Sequence, residues 1–257
     1  MNESEIQHQK IEKSLEFQYK NVHELLLHKT KANPNKTFLM VHGDETEEFT
    51  YLEFKNIVDK AVSFLLKNNL KKGDKISIIF HNSSDFLILY FAGLCSGLTL
   101  IPINPDMSKN EIEYIIKDSN SKAIFFSNQI ENKINSIQEQ FVEKKFFNVN
   151  SVQQLISSYE INDEFELDEV NSNDVAEIIY TSGTTGNPKG VILSHLNLLS
   201  DSFSISNWFQ FNNNTRSLCI LPLFHNNGQI TTLLSPLYSG GSTVIVRGKT
   251  SLFAFWF

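Results

Sequence analysis

The sequence predicts an α/β protein with layered, parallel-rich sheets flanked by helices. Short buried strand patterns, such as KISIIF at 75–80, alternate with amphipathic helical patterns along much of the chain. That alternation is typical of parallel strands covered on both faces. The chain has 257 residues and is 41% hydrophobic. A chain of this length can bury roughly 70–75% of its unfolded surface, so its core needs no disulfide or metal.

The helices are predicted from their start signals and their apolar spacing. Thr50 with Glu53, and Ser108 with Glu111, form the spacing of a capping box. Apolar residues then recur at helical intervals after residue 53, and the second box begins a helix through Lys117. Ser84 is expected to cap a helix that runs to about Gly97. Three further helices are predicted at 130–138, 196–209 and 229–238.

The remaining strands are predicted from short apolar runs. They lie at 98–103, 123–126, 145–149, 176–180, 190–193, 217–221 and 243–246. The acidic stretch at 157–174 is interpreted as a solvated connection. The sequence thus predicts three parts: an N-terminal extension (1–20), a first α/β subdomain (21–174), and a segment that begins a second, incomplete subdomain (175–257).

Composition restricts the function classes. The chain has 29 acidic and 22 basic residues, a net charge of −7, which argues against a nucleic-acid or anionic-membrane binder. Two cysteines, Cys95 and Cys219, are too few for a disulfide framework. No secretory leader pattern is present, and the apolar run at 86–94 is far shorter than the ~20 residues of a membrane span. A cytoplasmic protein without a transmembrane segment is expected.

The most informative segment is the loop YTSGTTGNPKG at 180–190, which directly follows a predicted strand. Its glycines let successive backbone N–H groups converge on an anion. Its hydroxyl groups add donors, and Lys189 adds a positive charge. This combination is suited to a polyphosphate.

Two alternatives compete with that interpretation. A P-loop needs four residues between its glycines and then Lys followed by Ser or Thr, whereas here only Thr184 and Thr185 separate Gly183 from Gly186. A kinase or NTPase of that type is therefore disfavoured. The second alternative is a flexible Gly/Ser/Thr surface turn, but the ordered series ending in Pro-Lys-Gly is more specific than a generic cluster.

The segment AEIIYTSGTTGNPKGVILSHLN at 176–197 closely resembles the AMP-binding signature of the adenylate-forming superfamily. The segments at 50–53, 94–105 and 221–228 (LPLFHNNG) resemble further family motifs in the same order. The resemblance extends from about Val22 to the end and is greatest to acyl-CoA synthetases, including fatty-acid–CoA ligases. It implies the fold of that superfamily's N-terminal subdomains.

The resemblance also implies a two-step reaction. A carboxylate attacks the α-phosphate of Mg·ATP to give an acyl-adenylate and pyrophosphate, and coenzyme A then takes the acyl group. The positions that match the family's phosphate-binding loop are Thr181, Ser182, Gly183, Thr184, Thr185, Gly186 and Lys189. They would hold the β- and γ-phosphates, with Lys189 and Thr184 acting directly in catalysis.

Histidines complete the candidate site. His225 matches the family residue that lies beside the acyl group and the adenylate, so it is the third catalytic candidate, although a lone His is more often structural. His195 is predicted to start or pack a helix. No spacing of His and Cys indicates a metal site. The segment at 221–228 contains no acidic residue to pair with a substrate ammonium group, which favours an organic or fatty acid over an amino acid.

The family pattern extends beyond this sequence. Its Mg²⁺-binding glutamate, its ribose-binding aspartate and the small C-terminal domain with its lysine find no match. One hypothesis is therefore an N-terminal fragment of an acid-activating ligase that is inactive alone. The other is a naturally short, non-catalytic nucleotide-binding or interaction protein. The apolar end at 252–257 further predicts self-association.

Overall fold

Two mixed sheets with flanking helices form the fold. The computed structural model describes residues 18–161, 169–181 and 186–248. Its strands are β1 (Thr37–His42), β2 (Glu47–Thr50), β3 (Lys75–Ile79), β4 (Thr99–Pro102), β5 (Ala123–Ser127), β6 (Lys145–Val149), β7 (Val175–Thr181), β8 (Lys189–Ser194), β9 (Arg216–Cys219) and β10 (Ser242–Val246).

Most helices precede a strand in the chain, as expected for crossover connections. They are α1 (Val22–Ala32), α2 (Tyr51–Lys67), α3 (Ser84–Cys95), α4 (Lys109–Ser119), α5 (Glu131–Gln138), α6 (Val152–Leu155), α7 (His195–Trp208), α8 (Asn226–Gln229) and α9 (Ser235–Ser239). A 3₁₀ turn (Asn128–Ile130) precedes α5, and a π-helical turn (Ile230–Leu234) joins α8 to α9.

The larger sheet has six strands in the order β6-β5-β3-β4-β7-β8. Its strand pairs are parallel except for the antiparallel hairpin of β7 and β8. The carboxyl ends of β3 to β7 therefore share one edge with the start of β8. In open α/β sheets that edge is where ligands bind.

The smaller sheet has the order β2-β1-β10-β9. β10 runs parallel to both β1 and β9, while β1 and β2 are antiparallel. Both sheets combine strands from either side of residue 174, and the subdomain boundary placed there from the sequence stays a prediction.

The predicted α/β class is confirmed. The first residues of the helices were predicted well because N-cap signals involve only neighbouring residues. Thr50 and Ser108 form the predicted capping boxes, and Ser194 with Asn197 forms a third. The predicted cap at Ser84 was wrong by one residue, because the Ser83 hydroxyl accepts the hydrogen bond from the Phe86 N–H and Ser84 is already helical. α1, α6, β1 and β2 were not predicted.

α3 forms the centre of the core. Every residue of this helix except Asp85 is buried, and it packs against α1, α2, β3 and β4. Phe91 makes edge contacts with Phe38 and Phe54, and burying each such ring contributes roughly 1.5–3 kcal/mol. Among the described helices, none has the length and apolar character needed to cross a bilayer.

Candidate functional site

The predicted phosphate loop lies at the turn of the β7–β8 hairpin. Thr181, the last residue of β7, is the register partner of Lys189, the first residue of β8. Directly opposed residues in an antiparallel pair project to the same face, and both are exposed to solvent. The loop therefore begins and ends at the ligand-binding edge of the sheet. Gly186 is described and exposed, whereas Ser182, Gly183, Thr184 and Thr185 lie outside the described residues.

Packing beneath the loop fixes the hairpin. The Tyr180 hydroxyl donates a 2.6 Å hydrogen bond to Asp118 Oδ2 in α4. Burial, assisted by this carboxylate, raises the pKa of Tyr180, so the hydroxyl stays protonated and continues to donate. A Cβ at Gly190 would lie 2.7 Å from Ile178 Cγ2 and 3.2 Å from the Tyr180 ring. Glycine therefore lets the tyrosine ring close over the neighbouring strand.

His225 lies after β9, immediately before α8. The residue as a whole reaches solvent, and its imidazole lies 4.7 Å, centroid to centroid, from the Phe224 ring. Desolvation by the surrounding chain lowers the pKa of His225 below its ordinary value. A neutral ring beside an aromatic side chain suits contact with an uncharged part of a substrate.

Asn82, which the sequence analysis missed, holds the His225 segment. Its buried amide donates to the Leu221 carbonyl (2.9 Å) and accepts from the Leu223 N–H (2.8 Å). The main-chain carbonyl of Asn82 accepts from the Gly248 N–H at 2.8 Å. Asn82 follows β3, whereas the groups that it binds follow β9 and β10. One residue thus joins the end of β3 in the larger sheet to the segments that follow β9 and β10 in the smaller sheet.

Gly228 allows the chain to turn tightly after His225. A Cβ at this position would lie 2.5 Å from the Pro222 carbonyl oxygen. We expect Gly228→Ala to lower the free energy of unfolding by roughly 1–3 kcal/mol, since backbone must move to admit the methyl group. Chemical denaturation measures this change. Gly43→Ala is the matched control, because the three nearest atoms to its methyl group would all belong to the Arg247 side chain and none to the backbone. Equal losses in the two variants would contradict the prediction.

The two predicted parts of the site meet through buried polar groups. Glu177 lies four residues before Thr181 on β7, and strand alternation places both on one face. Its completely buried carboxyl group lies against the side-chain amide of the buried Gln229. Gln229 is the last residue of α8, one turn beyond His225. Thr181 and the side chain that contacts the end of the His225 turn therefore lie on one face of β7.

His195 has the structural position that the sequence predicts. It is the first residue of α7, fully buried, and its Nδ1 accepts from the Val22 N–H at 3.4 Å. Desolvation lowers the pKa of His195 from 6.5 to about 4, against the opposing effect of Asp174. The neutral imidazole packs α7 against the start of α1.

This burial predicts acid sensitivity. Between pH 6.5 and about 4 the unfolded chain binds a proton at His195 that the folded chain excludes, so stability falls as the pH falls. The loss by pH 5 relative to pH 7 is roughly 2 kcal/mol. Urea denaturation at several pH values measures it. His195→Gln should flatten this part of the profile, and the exposed-histidine control His42→Gln should not; a flat wild-type profile would argue against the assignment.

Comparison with known proteins identifies the class. The sequence model of the AMP-binding enzyme family matches residues 26–257. Together with the phosphate-loop hairpin at the ligand-binding edge, this match shows that the chain belongs to the AMP-binding enzyme family.

Individual relatives are CoA ligases. The chain is 30% identical to the probable CoA ligase CCL9 of Humulus lupulus, over 90% of this chain and 45% of the relative. It is 28% identical to oxalate–CoA ligase of Arabidopsis thaliana, over 90% of this chain and 46% of that one. The chain therefore spans less than half the length of these curated relatives.

Solved structures agree in fold. Apo MatB from Rhodopseudomonas palustris superposes with a TM-score of 0.80 at 23% identity, covering 91% of this chain and 46% of MatB. The inhibitor-bound N-terminal domain of FACL13 from Mycobacterium tuberculosis gives a TM-score of 0.79 at 23% identity, covering 93% of this chain and 60% of that one. These matches place the described sheets within the architecture of adenylate-forming enzymes.

Proposed function

We propose that the protein takes part in ATP-dependent activation of a carboxylic acid, which forms an acyl-adenylate and releases pyrophosphate. The observation that carries the proposal is the pairing of Thr181 with Lys189 at the mouth of the β7–β8 hairpin. This pairing presents a hydroxyl group and a cation at the ligand-binding edge of the larger sheet. Membership of the AMP-binding enzyme family supports the same reaction.

Each loop residue has a proposed role in that reaction. Lys189 neutralises charge on the β- and γ-phosphates and on the departing pyrophosphate, since phosphoryl-centre catalysis depends on positioning and charge stabilisation. Thr181 donates its hydroxyl hydrogen bond at the loop entrance. Ser182, Gly183, Thr184, Thr185 and Gly186 supply further donors to the phosphates, and Thr184 is the second loop residue proposed to act directly in catalysis.

Mg²⁺ has no assigned ligand among the described residues. No group of three or more His, Cys, Asp or Glu side chains that could hold a metal ion occurs among residues 18–161, 169–181 and 186–248. Coenzyme A as the acyl acceptor is supported by the relatives, whose names describe CoA ligases.

His225 is proposed to contact the acyl group. The segment that carries it holds no acidic residue, and the nearby Phe224 ring is apolar. An α-amino acid would leave its ammonium group without a countercharge there, at a cost in free energy. An organic or fatty acid is therefore the proposed substrate class.

Direct binding tests the proposal. Isothermal titration of the 257-residue chain with pyrophosphate, ATP and AMP should show binding of the first two and much weaker binding of AMP, because the hairpin recognises the terminal phosphates. Equal affinity for all three ligands would contradict it. Acid-dependent pyrophosphate release, measured in parallel, separates an activating enzyme from the alternative of a non-catalytic nucleotide-binding protein.

Two further expectations stay predictions. A cytoplasmic location is measured by fractionation of the cells that express the protein. The self-association predicted from residues 252–257, which lie outside the described residues, is measured by light scattering.

A further inference from the structure

The carboxyl group of Glu177 lies in the middle of β7, the strand that leads into the phosphate loop. It has no charged partner among the described residues. Glu177 is completely buried on β7, and neither of its carboxyl oxygens accepts a geometrically well-formed hydrogen bond within the described part of the chain. Burial raises the pKa of Glu177 from 4.5 to about 8. At neutral pH this side chain is therefore a neutral acid that can donate one hydrogen bond.

The neighbouring amide has the complementary requirement. Gln229 is also completely buried, and its Nε2 donates a 2.8 Å hydrogen bond to the Leu223 carbonyl. Its Oε1 has no donor among the described residues. The Glu177 carboxyl group lies against this amide, and the contact partly opposes the effect of burial on the pKa of Glu177. A carboxylic acid can pair with an amide in both directions, so the Glu177 proton can supply the donor that Gln229 Oε1 lacks. An acceptor that stays buried without a donor costs roughly 1–3 kcal/mol.

The geometry extends this contact to His225. The Gln229 side chain donates a hydrogen bond to the Leu223 carbonyl. Its amide therefore closes the turn that contains His225. Glu177 holds that amide from β7, four residues before Thr181. We propose that Glu177 is a positioning residue, which acts through Gln229 to fix the His225 segment relative to the strand that carries the phosphate loop.

The surroundings of Glu177 leave Gln229 as its specific partner. The titratable groups on the elements that pack against β7 are His195 and Asp201 on α7 and Lys189 on β8. Tyr90, whose buried hydroxyl has no partner among the described residues, is an electrostatic neighbour of Glu177. It provides a matched control, because it lies close to the carboxyl group but makes no contact with the His225 turn in the hydrogen bonds of the described residues.

The experiment follows the His225 ring by NMR pH titration in the 257-residue chain. Glu177→Gln keeps a neutral group that can donate, so the midpoint of His225 should equal that of the wild type. Glu177→Leu and Gln229→Leu should each move the midpoint toward that of an unburied histidine. Tyr90→Phe should leave it unchanged. The double variant should add little to either single leucine variant, as expected for two groups acting as one unit.

Stability gives a second readout. The folded wild type binds the Glu177 proton between pH 4.5 and about 8, so its stability should decline as the pH rises through that range. Glu177→Gln should remove this decline. The inference is overturned if Glu177→Leu and Gln229→Leu fold and leave the His225 midpoint at its wild-type value, or if Glu177→Gln moves the midpoint as far as leucine does.

A role of Glu177 in catalysis rests on the proposed function, whereas the contact between Glu177 and Gln229 does not. Pyrophosphate affinity should change less than about twofold in Glu177→Gln, since Lys189 and Thr181 are untouched. Failure of the wild type to bind pyrophosphate would refute the proposed function while leaving the His225 titration interpretable. An unchanged titration in the leucine variants, with normal pyrophosphate binding, would refute only the positioning role.

Discussion

Asn82→Ala is expected to lower the free energy of unfolding by roughly 2–5 kcal/mol, because it removes two hydrogen bonds and leaves the buried Leu223 N–H without an acceptor. Asn82 is 2% exposed and links the end of β3 to the segment that follows β9. Its loss should therefore also release the His225 turn. Guanidinium denaturation measures the first effect, and amide hydrogen exchange at Leu223 measures the second.

A control distinguishes this role from the general cost of losing an asparagine. Asn214 is exposed in the turn between α7 and β9, so Asn214→Ala should change stability by less than about 0.5 kcal/mol. Asn82→Asp is a sharper variant, since it keeps an acceptor for the Leu223 N–H but loses the donor to the Leu221 carbonyl. If Asn82→Ala matched Asn214→Ala in stability and exchange, Asn82 would not join the two sheets.

The alternating α/β pattern was predictable because its signals are local. The capping boxes at Thr50 and Ser108 need only residues within one helical turn. α1 was not predicted because its lysines and histidines obscure its apolar stripe, and its position depends on distant contacts. The Asn21 side chain donates to the Val170 carbonyl, 149 residues away, and the Val22 N–H donates to His195, 173 residues away. β1 likewise depends on β10, which follows it by some two hundred residues.

The candidate site also has one part that local sequence signals predict and another part that depends on distant contacts. The phosphate-loop motif is continuous in sequence, so its position between two strands was predictable, although its central residues lie outside the described part of the chain. Asn82 and Gln229 were missed because their partners come together only in the folded chain. Glu177 did carry a signal: a glutamate within the apolar strand AEIIY breaks the buried pattern, and such local conflicts concentrate at functional sites.

The phosphate loop itself makes the most direct prediction about binding. Lys189→Ala is expected to weaken pyrophosphate binding about tenfold to a hundredfold, the equivalent of one charge-assisted hydrogen bond of roughly 1.5–3 kcal/mol. Stability should hardly change, because Lys189 is exposed at the start of β8. Isothermal titration measures the affinity, and thermal unfolding of the same sample tests that the fold is intact.

A second lysine variant distinguishes the effect of net charge on pyrophosphate affinity from the effect of the position of Lys189. Lys31→Ala removes the same charge from an exposed site in the last turn of α1, and it should change pyrophosphate affinity less than about twofold, since screening over a Debye length of about 8 Å suppresses distant charges. Lys189→Arg keeps the charge but replaces a compact ammonium group with a planar fork, so its affinity should lie between those of the wild type and Lys189→Ala. Equal losses in Lys189→Ala and Lys31→Ala would indicate non-specific attraction, and Lys189 would then have no defined role at the phosphates.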